Sequence, residues 1–299
     1  MKNTSYKPDI ALLIGTFFWG ITFPLLRISV RTLSPAQTVF IRFLIATLLM
    51  SPLVFYRVRR TSRTTLLNFT KVGLALGCIT WASYQAQTIG LVTVESGRAA
   101  FITGSAVVLI PLFSPLFGLK MPGKLDFVAA LGVLLGLYFL TGATGQGIGT
   151  GELWVFLCAF TYALHVQFLQ KWVKGNADAV LLAFFQFVGV LICSGLLMYV
   201  QEIPVPQFDT QTLAGLVVCA VFATIGSTWI QTRYQRDTSP ERTALIFSLE
   251  PVFAAGFGYF LLDEKFSFEA WVGCSIILFS IVGIEWLKLS LSGAEESVS

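Results

Sequence analysis

Long apolar runs separated by short polar segments dominate the chain. Six of these runs carry no charged residue, over residues 10–26, 72–94, 99–119, 127–151, 179–201 and 210–232. Most reach the ~20 residues that a helix needs to cross ~30 Å of hydrocarbon. They are uniformly apolar and lack the alternation of a transmembrane strand, so the pattern predicts membrane-spanning helices.

Apolar runs and turn signals together predict ten spans joined by short loops. Their approximate bounds are 9–31, 35–56, 67–92, 96–119, 124–142, 151–171, 177–200, 210–235, 240–262 and 267–288. "SPAQ" at 34–37 and "SPER" at 239–242 match helix starts, with a serine cap and a proline at the first helical position. No small-residue cleavage site follows the first apolar run, which we therefore interpret as an uncleaved span.

Composition agrees with a membrane protein. Of the 299 residues 55% are hydrophobic and only 12% are charged, against roughly 25% charged in soluble domains. The net charge of +4 includes no basic cluster interleaved with aromatics, so nucleic acid is not an expected partner. The cysteines all fall in predicted spans without metal-ligand spacing, which predicts packing roles for Cys78, Cys158, Cys193, Cys219 and Cys274.

The distribution of Lys and Arg predicts the orientation. With a cytoplasmic N-terminus, 15 of them fall in cytoplasmic segments and four fall outside, namely Arg27, Arg31, Arg98 and Lys265. This bias predicts cytoplasmic N- and C-termini in the cell (inner) membrane.

The chain also contains an internal repeat. A shift of 144 places Thr80, Ser83, Gln87, Thr88, Arg98 and Ala100 on Thr224, Ser227, Gln231, Thr232, Arg242 and Ala244. We predict two five-helix units, 1–144 and 145–299, with the glycine-rich segment Gly142 to Gly151 as their linker. Because five is odd, the second unit enters the membrane from the opposite side, an inverted repeat that is typical of secondary transporters.

Three segments resemble a known family. "WGITFPLLR" in the first span, "FIRFLIA" in the second and "SLEPVFAAGFGYFLLDEKFSFEAWVGCSIILFSIVGI" at the end are similar to the EamA branch of the drug/metabolite transporter superfamily. The first unit departs from the pattern, since "LKMPGKLDF" lacks the usual glutamate of the turn between helices four and five.

The resemblance implies a fold and a function. It implies an all-α bundle of ten helices around a central cavity lined by helices one, three, four, six, eight and nine. It also implies transport, frequently outward, of amino acids, other small metabolites, nucleotide-linked sugars or toxic compounds.

Glu250 and Pro251 interrupt the ninth span near the membrane midplane. Pro251 cannot donate to the carbonyl one turn earlier, which predicts a kink that faces protein or water. Pro111 matches Pro251 in the repeat, but Ile110 stands where Glu250 would be. Glu250 is predicted either to bind a substrate ammonium group or a coupling proton, or to form a structural hydrogen bond or an ion pair with Arg42.

Two further polar residues inside spans leave alternatives open. Arg42 would reach the membrane interface with its long side chain, bind a substrate carboxylate, or pair with Glu250. His165 would either relay protons for coupling or bond to a neighbouring helix. Gln167 is expected to bond between helices, and the pairs Gly73/Gly77 and Gly132/Gly136 are expected at close helix contacts.

Aromatic and polar residues of the spans around the expected cavity form the predicted substrate site. These are Trp19, Thr22, Trp81, Tyr84, Gln85, Ser105, Tyr162, Trp229 and Glu250. The alternative for the aromatics is a lipid-facing or interfacial position. Arg98 and Arg242 match in the repeat at opposite faces, which predicts either paired gates, with Glu95 and Glu241 nearby, or interface anchors.

These patterns predict a secondary transporter of small amphipathic metabolites such as amino acids, and the resemblance implies export. A broad drug exporter and a nucleotide-sugar or phosphometabolite exchanger are the alternatives within transport, and a non-transporting receptor or scaffold is the alternative outside it. No ATP-binding motif, catalytic constellation, metal site or cofactor site is recognised in the sequence.

Overall fold

A computed structural model describes residues 7–118, 123–142, 148–172, 178–207, 209–234 and 246–298. These residues are helical and include no strand. Their α-helices are α1 Lys7–Ser29, α2 Pro35–Val58, α3 Arg63–Gly90, α4 Ser96–Gly104, α5 Ala106–Phe113, α6 Lys124–Gly142, α7 Thr150–Trp172, α8 Ala179–Val200, α9 Thr210–Val218, α10 Ser227–Tyr234, α11 Glu250–Leu262 and α12 Phe268–Val298. A 3₁₀ turn, Ser114–Phe117, follows α5, and a π-helical stretch, Cys219–Gly226, joins α9 to α10; the latter is called the π segment below.

Seven helical runs within the described residues are long and apolar enough to cross a membrane. They are Lys7–Ser29, Pro35–Val58, Arg63–Gly90, Ser96–Phe117, Thr150–Leu169, Ala179–Val200 and Thr210–Gln231. Glu250–Leu262 and Phe268–Ile284 are shorter apolar helices. The first part of the predicted ninth span, residues 240–245, lies outside the described residues.

The start of α2 follows the sequence prediction. Ser34 caps the helix by accepting a hydrogen bond from the Gln37 backbone N–H at 3.2 Å, and the Ser34 N–H donates to Gln37 Oε1 at 2.8 Å. This is the complete capping box, with Pro35 at the first helical position. The second such motif, at 239–242, lies outside the described residues.

Close helix pairs build the bundle. α3 packs along both α7 and α8, α2 packs along α8, and α6 packs along α12. α1 contacts α11 and also α9, the π segment and α10, while α4 lies between α7 and α11.

Glycines allow two of these pairs to approach closely, as expected. A Cβ on Gly77 of α3 would lie 2.5 Å from the Gln186 carbonyl oxygen of α8 and 2.8 Å from the Gly189 Cα. On α6, a Cβ at Gly136 would lie 2.8 Å from the Gly273 carbonyl oxygen of α12. Without a hydrophobic driving force between helices in lipid, such backbone contact is a main source of helix association.

The cysteines divide into two groups. Cys158, Cys219 and Cys274 are buried in the bundle, which agrees with packing roles. Cys78 on α3 is exposed and its Sγ lies 3.6 Å from Cys193 Sγ on α8. This contact offers a direct test of the α3–α8 pair.

We predict that mild oxidation links Cys78 to Cys193. The test inserts a protease site between residues 142 and 149 and runs the cleaved protein on a non-reducing gel. Because Cys78 is the one cysteine before residue 158, only a disulfide from Cys78 can keep the two halves joined. The link should vanish in Cys193→Ser and persist in Cys274→Ser. Separate halves in the oxidised parent protein would contradict the α3–α8 packing.

Candidate functional site

Three helical rods are interrupted in the interior of the bundle. α4 ends at Gly104 and α5 begins at Ala106, the π segment interrupts α9–α10, and α11 begins at Glu250 after a turn at Ser248 and Leu249. In lipid, non-helical backbone is tolerated where it is buried in protein or lines a cavity. The three interruptions therefore mark an interior site.

The ninth span is interrupted at Pro251, where the sequence predicts a kink. Residues 246 and 247 are helical, Ser248 and Leu249 form a turn, and α11 starts at Glu250, since the Pro251 ring nitrogen cannot donate to the Phe247 carbonyl. Gly104 packs on the Pro251 ring, since a Cβ there would lie 2.9 Å from Pro251 Cγ. In the first half α5 runs through Pro111 and the break lies earlier, at Ser105, so the two prolines do not act identically.

Arg42 on α2 is fully buried, at 1% exposure, and does not extend to the interface. Its Nε donates to Thr224 Oγ1 of the π segment at 2.7 Å. Its guanidinium carbon lies 4.8 Å from the centre of the Tyr84 ring, a cation–π distance. Its NH1 atom is buried without a hydrogen-bond partner, and among the described carboxylates none pairs with it.

The π segment supplies the acceptors of this interior site. Thr224 Oγ1 donates back to the Cys219 carbonyl at 3.0 Å. The neighbouring Ala223 carbonyl accepts a hydrogen bond from Trp19 Nε1 at 3.1 Å. Wider i to i−5 spacing re-aims carbonyl and hydroxyl groups, which is why π turns are frequent at functional sites.

Glu250 faces the same region from α11. It is half-buried and interacts electrostatically with Tyr84 on α3 and Tyr162 on α7. The ion pair between Glu250 and Arg42 is not formed in this structure, although both act electrostatically on Tyr84. We define the central cluster as Trp19, Arg42, Tyr84, Tyr162, Thr224 and Glu250.

α3 adds two unsatisfied polar atoms beside the cluster. Trp81 and Gln85 lie one turn apart on the face of α3 that carries Tyr84. Trp81 Nε1 and Gln85 Oε1 are both buried without a hydrogen-bond partner. Such orphaned atoms are rare in native interiors and call for an explanation.

Other predicted residues lie differently. Thr22 and Ser105 donate within their own helices, to the Trp19 carbonyl at 2.7 Å and the Ile102 carbonyl at 2.6 Å. Trp229 is 45% exposed and packs edge-on against Tyr234. Thr22 is thus joined to the central cluster through the Trp19 backbone carbonyl, whereas Ser105 and Trp229 form no hydrogen bond with a cluster residue among the described contacts.

His165 and Gln167 bond between helices. His165 Nε2 lies 2.9 Å from Gln186 Oε1 on α8, and the ring stacks near Tyr162 at 6.3 Å. Gln167 Nε2 donates to the Ile110 carbonyl at 2.6 Å, as the sequence predicted. His165 thus touches the edge of the central cluster through Tyr162.

Arg98 forms an ion pair across the first and second halves. Its NH1 lies 3.4 Å from Glu152 Oε1, near the start of α7, and it forms no ion pair with Glu95, the nearby partner that the sequence suggested. Its repeat partner Arg242 lies outside the described residues.

Sequence reasoning missed a second carboxylate, Glu264. It lies in the turn between α11 and α12 with its side chain 7% exposed, and it caps α4 from a distance. Glu264 accepts from the Ser96 N–H at 2.8 Å, the Ser96 hydroxyl at 2.6 Å and the Gly97 N–H at 3.2 Å. The negative charge at the helix N-terminus satisfies orphan donors and the helix dipole together.

Arg27 completes this arrangement from the end of α1. Its Nε lies 3.4 Å from Glu264 Oε1, and it also donates to the Val94 carbonyl. Asp263, at a φ of 54°, turns the chain so that Glu264 points back to α4. The family-like turn "LLDEK" was the available signal, but only the fold brings it to α4. We call Arg27, Ser96, Gly97 and Glu264 the Glu264 network.

No group of three or more His, Cys, Asp or Glu side chains among the described residues is placed to hold a metal ion. The described interior therefore offers hydrogen-bond donors, one buried cation, one carboxylate and aromatic rings.

Comparison with known proteins decides the family. A model of the EamA-like transporter family matches the chain twice, over residues 7–142 and 149–286. The chain belongs to the EamA-like transporter family. This EamA-like protein is thus a multi-pass membrane transporter of two-repeat architecture. It lies in the lipid bilayer, and its substrate is a small molecule.

Relatives agree over most of their length. An uncharacterized transporter from Archaeoglobus fulgidus is 28% identical over 274 residues, which cover 92% of this chain and 84% of the relative. The uncharacterized inner membrane transporter YedA from Escherichia coli K12 is 25% identical over 284 residues, covering 91% and 88%. A crystal structure at 18% identity superposes with a TM-score of 0.62 over 95% of this chain and 99% of that one, which supports the EamA-like fold alone.

We predict that Thr224→Val destabilises the EamA-like protein by about 1–3 kcal/mol, because a second buried N–H of Arg42 loses its acceptor. Thermal unfolding in detergent should show a lower midpoint for this isosteric change. Thr224→Ser keeps the hydroxyl and serves as the matched control. Equal midpoints for the valine variant and the wild type would contradict the Arg42–Thr224 contact.

Proposed function

We propose that this chain is a secondary transporter that exports small amphipathic metabolites such as amino acids. It works by alternating access between two inverted five-helix halves, 1–144 and 145–299, with ten spans in all. The observation that carries the proposal is the central cluster, in which a buried cation, a carboxylate and aromatic rings meet at interrupted helices. Discontinuous helices at the repeat interface form substrate sites in many secondary transporters.

Helix contacts support the inverted arrangement because they are preserved when the halves are exchanged. α1 is the repeat equivalent of α7, and α11 is the equivalent of α4 and α5; α1 packs on α11, and α7 packs on α4 and α5. The run of α9, the π segment and α10 is the equivalent of α3; α1 packs on this run, and α7 packs on α3. The pairs α2 with α8, α4 with α11 and α6 with α12 each join equivalent helices.

Two matching hydrogen bonds carry the same symmetry. Ser83 of α3 donates to the Cys158 carbonyl on α7 at 3.3 Å. Ser227 of α10, its repeat partner, donates to the Gly15 carbonyl on α1 at 3.0 Å. A duplicated and inverted unit explains why matched serines bond to matched helices.

In the proposed orientation the protein lies in the cell (inner) membrane, and both termini lie in the cytoplasm. The Lys and Arg distribution supports this assignment. The Glu264 network and the Arg98–Glu152 pair then lie at the outer end of the bundle, where they tie α1, α4, α7 and the α11–α12 turn together. We propose that these ties close the central cluster to the outside.

Substrate chemistry follows from the charges of the interior. Arg42 is the one fully buried Lys or Arg among the described residues. A nucleotide-sugar or phosphometabolite exchanger would need several cations to meet phosphate, so the amino acid class is favoured. Glu250 would bind the ammonium group or carry a coupling proton, and His165, bonded to Gln186, is the second coupling candidate.

We predict that proteoliposomes loaded with a metabolite mixture release an amino acid or a close relative, identified by mass spectrometry, and that an imposed pH gradient changes its rate. Glu250→Gln should lower the flux about tenfold, equivalent to losing about 1.4 kcal/mol of interaction. The same change at exposed Glu269 is the control. Unchanged flux and pH dependence in Glu250→Gln would remove this residue from the mechanism, and no flux for any metabolite would favour a receptor or scaffold.

We also predict that Glu264→Gln opens the outer end. In the test protein every cysteine except Cys219, which is buried at the π segment, is replaced. The measurement is the rate at which Cys219 reacts with a membrane-impermeant thiol reagent added outside cells. Losing the charge that holds Arg27 and α4 should raise the rate several-fold. Asp263→Asn, one residue away and 81% exposed, removes the same charge and should leave the rate unchanged. An unaltered rate in Glu264→Gln would rule out the closure.

A further inference from the structure

Arg42 presents an electrostatic imbalance that no described carboxylate corrects. A guanidinium at 1% exposure makes one hydrogen bond, to the neutral Thr224 hydroxyl, and two ring contacts, to Tyr84 and Phe43. Its NH1 atom has no partner. A buried charge without a counter-charge is costly, so a buried arginine is normally paired with an anion.

Glu250 does not fill that role in this structure. It acts electrostatically on Tyr84, but it forms no ion pair with Arg42. Among the described carboxylates, Asp178, Glu152 and Glu264 pair with other arginines, and Asp263 pairs with Lys265. No described carboxylate therefore balances the positive charge of Arg42.

Trp81 points to the same missing group. Its indole N–H is buried and unpaired, as is the Gln85 amide oxygen one turn further along α3. Tyr84, one turn from Trp81 on α3, contacts the Arg42 guanidinium at 4.8 Å. The unpaired indole N–H and amide oxygen thus belong to the segment of α3 on which the unpaired guanidinium rests.

We propose that Arg42 and Trp81 form a carboxylate subsite for the transported molecule, with Gln85 as an additional acceptor for a donor group of that molecule. This inference rests on the proposed transport function and specifies the substrate class as organic acids, zwitterionic amino acids included. A carboxylate carries one negative charge and two acceptor oxygens, which matches one cation and two kinds of N–H donor. Phosphate would bring a second negative charge that no second buried cation among the described residues balances.

The site is closed to solvent in this structure, since the unpaired atoms of Arg42, Trp81 and Gln85 have almost no accessible surface. An occluded site is expected of one state in an alternating-access cycle. The carboxylate enters when the helices around the π segment move apart, and it then satisfies the orphaned donors.

Binding is tested on the purified full-length protein in detergent. The twenty amino acids are screened at millimolar concentration for a rise in the thermal unfolding midpoint, and each stabilising amino acid is compared with its amide and with its deaminated acid. The acid should stabilise and the amide, which lacks the negative charge, should not. No stabilising amino acid, or equal stabilisation by the amide, would overturn the subsite.

Two variants separate binding from folding. Trp81→Phe keeps an aromatic ring and removes only the N–H, so affinity for the stabilising acid should fall about tenfold, as expected for a hydrogen bond to a charged group. Trp271→Phe, at a residue that is 57% exposed, is the matched control. Arg42→Lys keeps the charge but loses the planar guanidinium fork. It should weaken the binding of acids and leave the binding of amides unchanged. Unchanged selectivity in both variants would give Arg42 a purely structural role.

Flux measurements distinguish this inference from the transport proposal. Acid binding that depends on Arg42, without flux in proteoliposomes, would support the subsite and overturn transport. Flux of an organic acid that is unchanged in folded Arg42→Lys and Trp81→Phe would support transport and overturn the subsite.

Discussion

The buried Arg42–Thr224 hydrogen bond is the interaction on which the centre of this bundle depends. A charge in an apolar interior is tolerated only where the protein supplies polar partners. The π segment supplies one, because its wider turn exposes the Thr224 hydroxyl to α2 and the Ala223 carbonyl to Trp19. The irregular stretch of α9–α10 is therefore part of the site and not a fault in a helix.

The bundle combines closely packed helix pairs with helices that are interrupted. α3 meets α8, and α6 meets α12, through glycines that bring backbone against backbone. The breaks at Ser105, the π segment and Leu249 lie on the other helices, and at two of them Gly104 and Pro251 touch. Firm pairs and interrupted rods in one fold suit a protein whose halves move as bodies around a fixed central site.

The two carboxylates at opposite ends of α11 have opposite surroundings. Glu264 is fully engaged, by the N-terminus of α4 and by Arg27, and its bonds tie three segments at one end of the bundle. Glu250 has neighbours but no ion pair, and Arg42 has no carboxylate.

The sequence by itself determined the membrane class, the approximate spans and the repeat, because hydrophobic length and period are local properties that lipid imposes on every segment. It also placed Glu250, Trp19 and Tyr84 on spans that meet in the interior. It did not locate the π segment, since i to i−5 bonding has no residue signature in "CAVFATIG". It left Arg42 open between the interface, a substrate carboxylate and Glu250, and Arg98 open between a gate with Glu95 nearby and an interface anchor, because it cannot see which distant groups are available as partners. Only the tertiary structure decided that Thr224, Glu152 and the α4 N-terminus are those partners, since contacts between residues far apart in the chain depend on how the helices pack.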